Sequence, residues 1–400
     1  MTLVSRRFQD LRPSSTVALA GLARRLAAEG RDIVDFSEGE SDFDTPEHVV
    51  EAAIQAMRRG ETRYTNVSGT DRLKDAIRQK FLRDNGLDFA REQLTVGTGA
   101  KQVIFNAFMA SLEPGDEVIV PAPYWVSYPD MIRIAGGTAI RVPTERQHGF
   151  KLGSDALRRV LSPRTRWLVL CSPGNPAGAV YRAEEYAALA EVLADWPRVG
   201  VLSDDIYEHL VYAPARFTTF AGAAPALRDR VLTVNGVSKT YAMTGWRIGY
   251  GGGPADLIAA MNVLQGQSTT HATSIAQAAA VAALDGPQNM LERQRTTMRA
   301  RRDHLVPRIQ ALRGLGCASP EGAFYLWVAC GDVIGRRTRS GAVLSDDRDL
   351  AGFLIESQGI VTVPGTAFGQ PGFLRVCFAK PIERLDTLVE RLAAAIAALA

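Results

Sequence analysis

An α/β fold with a mostly parallel seven-stranded sheet, joined to a smaller α+β module, is what this sequence predicts, and three observations predict it. Short apolar runs recur between residues 94 and 250, most of them separated by stretches with helical spacing; repeated β-α units of this kind give a mostly parallel sheet covered by helices. From about Gln288 the character changes to a long arginine-rich helix, strand-like runs and a closing alanine-rich helix. The chain has 400 residues with 46% hydrophobic and 22% charged content, enough to bury a large core and to favour two or three domains.

In chain order, Ser15 to Gly30 reads as a helix, linked onward through Ser37 to Pro46. Strands are expected at Leu94-Thr95-Val96, Glu117 to Val120, Ala139 to Val142, Trp167 to Leu170, Val199 to Leu202, Val231 to Val234 and Trp246 to Tyr250. Tyr186, Leu189, Ala190 and Leu193 show the helical spacing of an intervening segment. The last two runs lie too close together for a crossover helix, so Trp246 to Tyr250 is expected to run antiparallel. Further strands are expected at Ala323 to Val328, Ile360 to Val363 and Phe373 to Val376. The large domain is placed at 47–287, and residues 1–46 and 288–400 form the small one.

Composition excludes several classes. A formal net charge of +3 with no dominant basic block gives no case for nucleic acid. The stretch from Val17 to Leu26 is broken by Arg24 and Arg25, too short and too charged for a bilayer. A cytoplasmic location is therefore expected. Cys171, Cys317, Cys330 and Cys377 lie far apart, as do the five histidines, so no metal spacing is present and the cysteines read as buried free thiols.

The chemistry concentrates at strand ends. Val231 to Val234 runs into Gly236-Val237-Ser238-Lys239-Thr240, followed by Gly245-Trp246-Arg247. A lysine amine at the carboxyl end of a strand, where open α/β sheets bind ligands, can form a Schiff base with a carbonyl. Ser238 and Arg247 add a hydroxyl and a planar charged fork suited to a phosphate. Together these read as a pyridoxal phosphate site. Four further segments fit that cofactor. Gly97-Thr98-Gly99-Ala100-Lys101 opens a helix whose backbone amides can take a phosphate. Asn175, in Ser172-Pro173-Gly174-Asn175-Pro176, either hydrogen-bonds the cofactor's phenolic oxygen or belongs to a plain turn. Asp204 stabilises the protonated ring nitrogen and Tyr207 reaches the phenolic oxygen, while Asp205 caps the following turn. Trp125 stacks on the pyridine or packs in the core.

With these residues in view the chain resembles the class I, fold-type I pyridoxal-phosphate-dependent aminotransferases, in their bacterial aspartate/prephenate group. The resemblance extends from Arg12-Pro13-Ser14 through Gly39-Glu40-Ser41-Asp42-Phe43, Tyr64-Thr65, Lys101-Gln102, Pro123 to Tyr128, Asn175-Pro176, Asp204 to Tyr207 and Ser238-Lys239 to Arg375. It implies that Lys239 holds pyridoxal 5'-phosphate and moves the substrate's Cα proton, that Arg375 grips the α-carboxylate with help from Gly39 and Asn175, and that Tyr64 reaches a phosphate in a partner subunit. A homodimer with shared sites follows. Lys101, with Thr16 nearby, matches the group that meets a distal carboxylate, which puts aspartate or glutamate first as donor and 2-oxoglutarate, oxaloacetate or prephenate as acceptor, in ping-pong transfer; alternatively Lys101 serves only the phosphate region. The chain departs from the pattern at Ala100, Ala177, Gly236 and His271, which leaves substrate identity open.

Two rivals share the scaffold or the site: a lyase or oxidase, or an aminotransferase specialised for aromatic or neutral substrates. A third, a non-catalytic ligand-binding module, lacks a DNA-binding domain ahead of Ser15.

Overall fold

The structure, a computed structural model, describes residues 3–5, 8 and 15–400, with the side chains of residues 15 and 16 outside the description. Its centre is a seven-stranded sheet in the order Leu94–Thr98, Ile248–Gly252, Val231–Gly236, Gly200–Asp204, Thr165–Cys171, Glu117–Ala122, Thr138–Pro143. The five strands from Val231–Gly236 to Thr138–Pro143 pair in parallel. Their inner members are buried on both faces, which is why they read as continuous apolar runs rather than alternating ones.

The expected antiparallel strand is present, paired antiparallel with both neighbours. It begins at Ile248 rather than Trp246, because Thr244–Trp246 forms a short 3-10 turn and Arg247 takes a left-handed φ of 59°. At Gly249 a Cβ would collide with the backbone of Gly99 and Ala100. Glycine there lets the start of helix Ala100–Ser111 close onto the sheet.

Helices cover both faces. Val49, Ala53, Ala279, Leu284, Tyr186 and Leu189 pack on one side, and Val103, Phe108, Ile132 and Met261 on the other. Beyond the sheet, Val363–Pro364, Phe373–Cys377, Tyr325–Ala329 and Gly316–Cys317 form a smaller antiparallel sheet. Helices Asn289–Gln310, Asp347–Gln358 and Ile382–Ala397 accompany it around an apolar core that includes Leu305, Phe324, Leu354 and Leu388. Val34–Asp35 pairs in parallel with Ile360–Val361, tying the N-terminal segment to this part. Two-residue strands carry no readable period, so neither Val34–Asp35 nor Gly316–Cys317 was expected from the sequence.

Among the arginines of Asn289–Gln310, Arg301 is buried, and both of its terminal nitrogens donate to Asp42 at 2.6 Å. Its guanidinium lies 5.9 Å from the Phe43 ring. This clamp holds the segment that carries Gly39 toward the sheet's carboxyl edge.

Candidate active site

Five strands deliver the expected side chains to one place. Asp204 is the last residue of its strand, Lys239 lies in the single turn Val237–Thr240 after the next, and Ala100 and Lys101 open helix Ala100–Ser111. Asn175 and Trp125 follow Thr165–Cys171 and Glu117–Ala122. These side chains share a cavity of about 250 Å³ with Gly39, Tyr207, Ser238, Arg247 and Arg375. Its charged lining is Lys101, Lys239, Arg247 and Arg375 against Asp204 alone. Such an excess of positive charge suits a ligand carrying several negative charges.

The Lys239 ammonium donates to the Gly39 carbonyl at 2.5 Å. Burial lowers its pKa to about 8, with Arg375 and Arg247 acting in the same direction against Cys377 and Glu40. The neutral, nucleophilic amine is therefore close at hand near physiological pH. Arg375 is only 2% exposed. One terminal nitrogen donates to Asn175 Oδ1 at 3.0 Å and the other to the Ser37 carbonyl, while Nε has no hydrogen-bond partner among the described residues. The guanidinium lies 4.5 Å from the centre of the Tyr325 ring and 5.1 Å from that of Phe368.

Asp204 is buried, and burial raises its pKa to about 6 against the Tyr128 hydroxyl, the Ile206 N–H and the Lys239 charge. Tyr128 donates to Oδ2 at 2.5 Å, whereas Oδ1 has no hydrogen-bond partner among the described residues. A buried acceptor of that kind asks for a donor from a ligand. Arg247 donates to the carbonyls of Thr244, at 2.7 Å, and Thr98, at 3.3 Å. Gly99, at φ 83°, is not on the cavity wall; a Cβ there would strike the Arg247 guanidinium, so its absence lets that group approach. Burial and then Arg247 lower the Lys101 pKa, and its ammonium lies 5.0 Å over the Trp125 ring.

The rest of the expected set is scattered. Tyr64 is 89% exposed, edge-on to His271 at 5.7 Å. The Thr16 side chain and Arg12-Pro13-Ser14 lie outside the description. Tyr207 lines the cavity with its hydroxyl 2.7 Å from that of Tyr325. Asp205 is not a turn cap: it is fully buried and accepts from Ser203 Oγ at 2.7 Å. Cys171, expected to be buried, shows part of its surface and lines the cavity.

Three participants escaped the sequence. Tyr325 sat in an apolar run that reads as core, and Tyr128 stood in a noted segment with no role. The third is an ion cluster outside the cavity, where Asp84, Glu208 and His209 bring ligand-type atoms within 4.8 Å of one another. Lys80 already supplies its cation, pairing with Glu208 and, at 3.9 Å, with Asp84.

Comparison with known proteins places this geometry. A family model described as "Aminotransferase class I and II" matches residues 31–392. The chain is 48% identical to a probable aspartate/prephenate aminotransferase of Rhizobium leguminosarum bv. phaseoli, over 98% of both chains. The fold superposes with a TM-score of 0.96 on the crystal structure of the aspartate aminotransferase of Rhizobium meliloti, at 47% identity over 100% of both chains. It superposes with a TM-score of 0.92 on the aspartate aminotransferase of Thermus thermophilus with maleate, at 42% identity over 99% of this chain and 100% of that one.

Proposed function

The chain belongs to the class I and II aminotransferases, and on that premise we propose that it is a pyridoxal-phosphate-dependent enzyme that passes the amino group of aspartate or glutamate to a 2-oxo acid. The observation that carries this is the placement around one cavity of a buried lysine with a pKa of about 8, a carboxylate with an unpartnered oxygen, and a buried arginine.

The residues fit pyridoxal phosphate. Asp204 Oδ1 is the acceptor a protonated ring nitrogen needs, Lys239 is the amine an aldehyde needs, and Ser238, Arg247 and the amides opening helix Ala100–Ser111 suit its phosphate. When bound, pyridoxal phosphate supplies an electron sink for the Cα–H bond. Lys239 takes that proton and returns it. Arg375, packed against two rings, holds the α-carboxylate and so orients the bond to be broken. Gly39 admits this arrangement because any Cβ there would strike the Tyr325 hydroxyl.

Lys101, on the wall of the same cavity, is a second cation for a distal carboxylate. The maleate in the Thermus thermophilus structure, itself a dicarboxylate, supports that reading, and the relatives' names add prephenate as an acceptor. We assign Tyr64 to a partner subunit's phosphate in a homodimer with shared sites; its nearly full exposure supports this. Among the described residues no helix is long and apolar enough to cross a membrane, and we place the enzyme in the cytoplasm. We assign residues 47–287 to a cofactor-binding domain and 1–46 with 288–400 to a small domain. Their largely separate apolar cores support the division, although Ile206, Tyr207, Leu210 and Tyr212 join the second core.

Incubation with aspartate and 2-oxoglutarate, followed by assay of glutamate and ammonia, tests the reading. Glutamate is expected. Ammonia in its place marks a lyase or oxidase, and neither product removes acidic amino acids as substrates.

A further inference from the structure

Tyr128 opens the short helix Tyr128–Ile134 and is almost wholly buried, yet its phenol does not end in the core. The hydroxyl donates to Asp204 Oδ2 at 2.5 Å, across 76 residues of sequence. The ring is braced by Trp125, edge-on at 5.3 Å. The Cys171 thiol interacts with both the Tyr128 hydroxyl and the Asp204 carboxylate, and its sulfur lies 3.5 Å from the Pro173 carbonyl. The two oxygens of Asp204 are thus unequal: one is committed to the protein, the other is buried and unpartnered.

We propose that Tyr128 is a positioning residue for Asp204: by occupying Oδ2 it fixes the plane of the carboxylate and its ionised form, so that Oδ1 alone is presented to the ring nitrogen of the cofactor. This rests on the assignment of pyridoxal phosphate to the cavity. The physical need is plain. A carboxylate in this setting is desolvated, and without a donor it takes up a proton near neutrality and loses its attraction for a protonated nitrogen. The titratable and charged groups around Asp204 are few. Tyr128 comes from its own helix, Cys171 from the end of the neighbouring strand, and Lys239 from the turn after the next strand. Asp205, the next residue, is buried against Ser203. Of these, only the Tyr128 hydroxyl is hydrogen-bonded to the carboxylate.

The test is the pH dependence of the dissociation constant for pyridoxal phosphate, measured on wild type and Tyr128→Phe by equilibrium fluorescence and accompanied by kcat and KM. In the wild type, affinity is expected to weaken as pH falls through about 6, where Asp204 of the empty protein takes up its proton. Loss of a hydrogen bond to a charged group shifts a pKa by roughly one unit, so Tyr128→Phe moves the midpoint upward by about that much. Affinity then falls roughly fivefold at pH 6, approaching about tenfold below it, and little at pH 8, while kcat falls roughly tenfold with KM nearly unchanged. Fluorotyrosine at position 128, a stronger donor of similar shape, moves the midpoint the other way and keeps kcat near wild type. An equal loss of affinity at every pH, or a midpoint indifferent to both replacements, overturns the proposal and leaves Tyr128 as packing. If the wild type itself takes up no pyridoxal phosphate, the cofactor assignment fails first, and the positioning role falls with it.

Discussion

Asp204 and Glu208 lie four residues apart on one segment, both buried, and they end in opposite electrostatic states. Burial pushes Asp204 up to about 6, with only partial relief from Tyr128, the Ile206 N–H and Lys239. Burial also works against Glu208, but the Lys80 ammonium, then His209 and Asn85, outweigh it and hold the carboxyl well below the usual range. His209 is pushed down by burial and drawn up further by Glu208 and Asp84, so its pKa rises. A charge that serves the fold is neutralised within the protein. Asp204, in the role proposed for it, is left with one bare oxygen for a ligand. The cation each carboxylate receives, rather than its depth, separates the two roles.

The sharpest break in that comparison comes from removing each group in turn. Lys239→Ala is expected to abolish turnover and covalent cofactor attachment, and Asp204→Ala to lower kcat by about three orders of magnitude. Both should retain a melting temperature close to that of wild type. Steady-state kinetics paired with thermal unfolding checks this, and near-normal turnover of Asp204→Ala hands the role to another group. On the other side, Lys80→Met leaves Glu208 buried without its cation. It should cost roughly 3–5 kcal/mol of stability in denaturant titration while the folded fraction keeps its activity.

A smaller effect separates two cations within the cavity. Arg375→Ala should harm every amino acid alike, because each presents an α-carboxylate. Lys101→Ala should lower kcat/KM for dicarboxylic substrates by about one to two decades more than for alanine, the worth of one charge-assisted hydrogen bond. Equal losses for aspartate and alanine would confine Lys101 to the phosphate region. The smallest effect is on pH. Asp205 has its folded pKa raised to about 7, by burial first. Its contribution to stability is thus full below the ordinary carboxylate range and is lost as pH rises through about 7. Glu208 has the reverse sign, contributing above that range and losing it as pH falls below. Asp205→Asn should therefore flatten the decline of melting temperature between pH 4 and 7 by a few degrees, and Glu208→Gln should not.

What was legible in the sequence was local. Ser238-Lys239, Asp204 and Asn175 each follow an apolar run, and strand ends converge in a parallel sheet, so motif and position pointed together. What was hidden depends on contacts between distant segments. Tyr128 meets Asp204 across 76 residues and Tyr207 meets Tyr325 across 118, and no periodicity announces either pair. Lys80 is a charged residue on the apolar Leu73–Ile77 face of its helix, where its type argues for solvent, yet it is 1% exposed. Arg301 misleads in the same way, because a long arginine-rich helix gives no sign of which arginine turns inward to Asp42. Asp205 was misread because a carboxylate before a turn is ordinarily a cap, and the burial that overrides this is a property of the assembled sheet.

The short stretch Ser37 to Gly39 binds two of the cavity's cations at once, since the Ser37 carbonyl accepts from Arg375 and the Gly39 carbonyl from Lys239. The groups proposed as carboxylate clamp and proton carrier thus lean on one backbone segment, and the Arg301–Asp42 pair steadies it. Two such points, with the flat ring of the proposed cofactor as the third, would form a chiral template. An amino acid gripped by its carboxylate can aim its Cα hydrogen at Lys239 in one enantiomer and must aim it away in the mirror image. If those roles hold, handedness is set by two backbone carbonyls, and altering Lys101 should change which side chains are welcome without changing which hand is accepted.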